Sequence, residues 1–143
     1  KEANMYNFLT PVLVLIVWSL IIWCVLYARR IPAMKAAKIA PDSARSPDGD
    51  WTSKLPNRAQ YAAHNYNHLM EQPTIFYALM FYIQLSDLSD GWFAHLAWVY
   101  VILRIVHSLV QISVNKVIVR FTIFSLASLI LIVMAVLAVL KTF

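Results

Sequence analysis

Three long apolar runs dominate the pattern along this chain, Pro11 to Ala28, Trp92 to Val114 and Val117 to Leu140. Arg104 and His107 break the second run. About 20 apolar residues cross a bilayer core, so each run predicts a transmembrane helix. A fourth stretch differs in kind. From Arg58 to Pro73 the sequence reads RAQYAAHNYNHLMEQP, rich in amides and imidazoles, and it leads without a break into the apolar TIFYALMFYIQL. The pattern therefore predicts an all-α membrane protein, a four-transmembrane-helix bundle forming one domain over 1–143. Its helices are expected at about 8–28, 57–85, 92–114 and 117–140, with a loop over 29–56.

On a helix, residues three or four apart share a face. Asn57, Gln60, His64, Asn67, His68 and Glu71 fall in one stripe of the second helix, and Ala59, Ala62, Ala63, Tyr66, Leu69 and Met70 lie around the other side. A polar stripe at membrane depth must turn towards protein or water. Pro73 cannot donate to the carbonyl of Leu69, so a kink is expected just beyond Glu71. The third helix carries a matching stripe of Tyr100, Arg104, His107, Ser108, Gln111 and Asn115. An arginine so far inside an apolar run costs about 2.5 to 3.5 kcal/mol on insertion scales, so it calls for a partner. Glu71 is the one acid within the four spans, and an ion pair between Glu71 and Arg104, within or between subunits, is expected.

Composition agrees with the pattern. Hydrophobic residues make up 61% of the chain and charged residues 13%, against about 25% charged in soluble domains. The first run is long for a signal peptide core and ends in YARRIP, so it reads as a retained anchor. The single cysteine, Cys24, lies within it and is expected to act as a small buried hydrophobe.

The net charge of +5 is distributed unevenly. Arg29, Arg30, Lys35, Lys38, Arg45, Lys54 and Arg58 lie between the first two helices, and Lys116 and Arg120 in the link NKVIVR, while LSDLSDG carries no positive charge. The first loop is thus expected to be cytoplasmic, with both termini on the opposite face. No soluble basic module exists to bind nucleic acid. The first loop, with IAPDSARSPDGDWTSKLPN, has turn chemistry and no apolar period. It reads as a solvated connector or as a lid over a cytoplasm-facing pocket.

His64, His68 and Glu71 have a spacing that could hold a metal, but imidazoles beside a carboxylate need none, and no metal site is expected. Neither a phosphate loop nor a set of nucleophile, base and acid is visible.

The polar second helix NYNHLMEQPTIFYAL, the third-helix RIVHSLV and the basic link after it resemble the MAPEG family, membrane-associated proteins of eicosanoid and glutathione metabolism, with the Asn65 to Tyr77 segment similar to bacterial members. The resemblance implies a homotrimer with glutathione as cosubstrate, bound between subunits near the cytoplasmic side, and a bacterial inner membrane location. It makes Arg120 the catalytic arginine beside the thiol, and His64, Asn65, His68, Glu71, Arg104 and His107 the glutathione-binding set. Membrane lipids would deliver lipophilic electrophiles or hydroperoxides. Asn67 and His68 replace residues that many glutathione-binding members carry ahead of the glutamate, and Gln111 and Phe124 stand where the family often has tyrosine. Two functions follow: a glutathione-dependent transferase or peroxidase, or a non-catalytic subunit that packs against a larger membrane complex.

Overall fold

The computed structural model describes residues 8–46 and 49–143. Among the described residues, five α-helices form the frame: α1 (Thr10–Ala36), α2 (Asn57–Met70), α3 (Gln72–Leu85), α4 (Gly91–Ile112) and α5 (Val117–Thr142). Two short 3-10 turns, Pro41–Ala44 and Asp50–Lys54, lie in the loop after α1. No strand occurs among the described residues. Three helices, α1, α4 and α5, are long and apolar enough to cross a membrane. The second rod of the bundle is the pair α2 and α3, which together extend on the order of 43 Å at 1.5 Å per residue.

The expected continuous helix over 57–85 is broken. Glu71 has φ −88° and ψ −99°, outside helical geometry, and separates α2 from α3. Pro73 is accordingly the second residue of α3. In a first turn its missing N–H removes no helical bond, so the proline starts a helix here where a kink was expected.

Buried positions repeat at alternating intervals of three and four. They are Val12, Leu15, Ser19, Ile22 and Leu26 on α1, Phe76, Met80 and Ile83 on α3, and Ala127, Leu131, Met134 and Ala138 on α5. On α4 the series Phe93, Ala97, Tyr100, Arg104, His107 and Gln111 keeps the same interval. This is the seam of a bundle whose helices cross at a shallow angle. The helix α4 packs mainly on α5, and α1 on α2, while α4 also meets α1 and α2 and closes the core. Outward-facing residues are as apolar as the core, among them Leu13, Ile16, Leu20, Leu129 and Ile132. Cys24 belongs to this outer surface, in correction of its expected burial, because the inward positions beside it are Ile22 and Leu26.

Helix ends are closed without glycine. Lys38, Asp87 and Asn115 take left-handed φ values of 53°, 55° and 50°, after α1, α3 and α4. The amides of Ile39, Leu88 and Asn115 then reach back five residues to Met34, Ile83 and Val110. Such bonds occupy carbonyls that a helix end leaves free. Asp90 caps α4 by accepting from the Phe93 amide at 3.0 Å, and Lys141 at the far end of α5 pairs with the same carboxylate.

The first loop is tied down. Trp51 is buried against Leu55, Ala59, Met34 and Ile39, donates from Nε1 to the Ser46 carbonyl at 2.7 Å, and stacks under Arg30. A small second core thus fixes the loop to the end of α1.

Candidate functional site

The polar residues of α2 and α4 meet in two layers. The first is a closed network. Asn65 is fully buried; its Nδ2 donates to Gln111 Oε1 at 2.8 Å, and its Oδ1 accepts from Ser108 Oγ at 2.8 Å. Every strong donor and acceptor aimed inward from α2 at this level has a partner on α4, as burial in an apolar bundle requires. Asn65 therefore joins α2 to α4 within the chain.

One turn further lies a layer of rings and cations. The His68 and His107 rings meet edge to face with centroids 5.5 Å apart, and Phe124 of α5 lies 5.8 Å from His68 and 6.2 Å from His107. The Arg104 guanidinium sits 5.6 Å from the Phe124 ring and is 1% exposed. Its Nη2 donates to the His68 carbonyl at 2.7 Å, while Nε and Nη1 are buried without a partner among the described residues. Arg120, half-buried at the start of α5, bonds Asn115 Oδ1 through Nη1 and also leaves a buried Nε without a partner among the described residues. Both cations border the same ring cluster.

Within the chain, the expected pair between Glu71 and Arg104 does not form. The Glu71 side chain is 67% exposed and points away from the core, with Oε2 3.5 Å from His68 Nδ1. That separation is too long for a good hydrogen bond, and among the described residues the nitrogen is otherwise without a partner. The break at Glu71 explains the difference, since it swings the side chain outward while freeing a helix-end carbonyl for Arg104. His64 and Asn67 are exposed on the same outer stripe of α2. Of the sequence-predicted set, His68, Arg104, His107 and Arg120 are brought together, Glu71 and His64 lie on the adjoining outer face, and Asn65 sits behind.

Some contributors escaped the sequence reading. Gln72 donates to Ser128 Oγ at 2.7 Å and accepts from Tyr100 at 3.4 Å, so it links α3, α4 and α5 below the ring cluster. Arg29 at the end of α1 donates to the carbonyls of Ile112 at 2.9 Å and Arg58 at 3.2 Å. A polar side chain at matching depth on a facing helix was the available signal for Gln72. Arg29 was hidden among seven loop-side cations.

The residues fit a small peptide bearing both signs of charge: the guanidinium groups of buried Arg104 and half-buried Arg120 supply positive potential for its carboxylates, and the exposed carboxylate of Glu71 suits its ammonium. Searches among curated proteins and among solved structures each returned no significant match. A family comparison matched the MAPEG family over residues 8–140. The chain belongs to the MAPEG family, helical membrane proteins of eicosanoid and glutathione metabolism, and is itself an integral membrane protein.

Proposed function

We propose that the protein is a glutathione-dependent transferase or peroxidase acting on lipophilic electrophiles or lipid hydroperoxides. The observation that carries this reading is the pair of guanidinium groups, Arg104 and Arg120, around one ring cluster beside an exposed carboxylate. Glu71 would hold the ammonium of the peptide, His64 and His68 would donate to its backbone, and Arg104 with His107 would supply positive potential from behind. Glutathione supplies the thiol nucleophile when bound. Arg120 is the group placed to favour the thiolate, because an adjacent cation lowers a thiol pKa.

The assembly is proposed to be a homotrimer in a bacterial inner membrane, with the first loop cytoplasmic and both termini opposite. The support lies on the outer face of α2, where His64, Asn67 and Glu71 are exposed on the single chain. Lipid cannot satisfy these groups, whereas a neighbouring copy can.

Purified protein should bind glutathione and turn over an aryl halide or an organic hydroperoxide. Arg120→Gln should abolish turnover while keeping the wild-type melting temperature. Wild-type protein that neither binds glutathione nor turns over either substrate overturns the reading.

One feature supports the alternative of a non-catalytic subunit in a larger membrane complex. Phe124, packed on His68 and His107, brings no hydroxyl to the cluster, and Gln111 is spent on Asn65. Glutathione binding by a free trimer isolated in mild detergent would count against that alternative.

A further inference from the structure

A second cationic site lies away from the ring cluster, where the end of α1, the start of α2 and the end of α4 converge. A cavity of about 640 Å³ opens there, lined by Arg29, Arg58, Tyr61, Leu109, Ile112 and Ser113 among others, and no carboxylate of the described residues lines it. Arg29 is held in place by the carbonyls of Ile112 and Arg58, so its charge is fixed at the mouth. The Arg58 side chain is exposed beside it. Two guanidinium groups facing one opening with no acid between them repel each other, and an anion relieves that repulsion.

The opposite wall is apolar. Leu109 is 48% exposed, and Val106 and Ile102, also exposed, follow it along the same face of α4 at intervals of three and four. This stripe runs from the cavity towards the middle of the bundle. A free phosphate would use the arginines and leave the stripe uncovered; a lipid with an anionic headgroup uses both.

We infer that this cavity binds the phosphate headgroup of an anionic glycerophospholipid, with Arg29 and Arg58 on the phosphate and an acyl chain along Leu109, Val106 and Ile102. Phosphate suits the planar donor fork of arginine, and Tyr61 adds a hydroxyl at the rim. The concentration of basic residues at this end of the bundle places the site in an anionic leaflet. The site is separate from the proposed glutathione chemistry, and neither depends on the other.

The test uses the full chain, purified in a neutral detergent and offered phosphatidylglycerol, phosphatidylcholine or glycerol phosphate. Binding is read by native mass spectrometry and by thermal stabilisation. Wild-type protein should retain phosphatidylglycerol in preference to phosphatidylcholine. Arg58→Gln should cut that preference by about tenfold, the size expected from one charge-assisted hydrogen bond, whereas Lys54→Gln, outside the cavity, should keep it. Leu109→Ser should weaken phosphatidylglycerol retention and leave any response to glycerol phosphate unchanged. Equal losses in Arg58→Gln and Lys54→Gln would mean general surface charge and overturn the site. Equal retention of the two lipids would overturn it as well, and a full effect from glycerol phosphate alone would overturn the lipid assignment in favour of a free phosphate. Because Arg58 lends only its backbone carbonyl to the fold, its variant should remain folded, and an unaltered melting temperature without lipid checks that.

Discussion

Arg104 donates from Nη2 to the carbonyl oxygen of His68 at 2.7 Å, so the buried cation of α4 caps the broken end of α2. The last carbonyls of any helix lack helical partners and carry partial negative charge. The break at Glu71 thus creates the acceptor that Arg104 uses, and the buried arginine and the interrupted helix form one feature.

Arg104→Leu is expected to destabilise the protein by about 1–3 kcal/mol, since the partly buried His68 carbonyl then loses its charged donor. Lys38→Leu, at an exposed position, should stay within about 0.5 kcal/mol of wild type. Thermal denaturation in detergent compares the two, and equal melting temperatures would refute the capping role.

Asn65→Leu should cost about 1–3 kcal/mol by leaving Gln111 and Ser108 with unmet groups in the core. The double variant with Gln111→Leu should lose less than the two single changes combined, because each single change strands the other partner. Strict additivity in such a double-mutant cycle would show that the two side chains do not depend on each other.

Asp90 links pH to stability at the end opposite the basic cluster. Partial burial pushes its carboxyl upward, but Lys141 and the Phe93 and Trp92 amides outweigh burial and hold it below the usual carboxylate value. A depressed folded pKa stabilises above the unfolded value near pH 4 and loses that contribution as pH falls through the folded value. The contribution should be no more than about 1 kcal/mol, because the pair is solvent-screened. Asp90→Asn keeps the helix cap. Melting curves of this variant between pH 6 and 3 should show a shallower acid decline than wild type, and parallel curves would remove Asp90 from the account.

Phe124→Tyr places a hydroxyl beside the His68 and His107 rings. If the cluster hosts the thiol, turnover with glutathione should rise by about tenfold or more, a modest share of what one well-placed donor contributes. A folded variant with unchanged rates would show that this position does not face the reacting groups.

Much of the α4 side of the site was legible in the sequence. Tyr100, Arg104, His107, Ser108 and Gln111 repeat at helical spacing in an otherwise apolar run, and all are buried. The partner of Arg104 was not legible. Charge alone pointed to Glu71, the acid nearest in type and depth, whereas the choice rested on a backbone carbonyl that becomes available only where the helix breaks. Pro73 signalled an irregularity, but a proline is compatible with a kink within one helix or the start of the next, and the dihedral angles at Glu71 decide between them.

By itself, the sequence determined the solvent and the number of rods, because the length and apolar content of α1, α4 and α5 depend on each segment alone. It also determined where polar chemistry must concentrate, since costly groups stand out against an apolar background. Only the tertiary structure decided which apolar residues form the core. Leu15 is buried and Leu13 exposed, yet both suit lipid equally well, so hydrophobicity could not separate them. It likewise decided that Asn65 joins α2 to α4 and that Glu71 faces outward. Those outcomes depend on the relative rotation of neighbouring helices, which packing fixes and no single segment encodes.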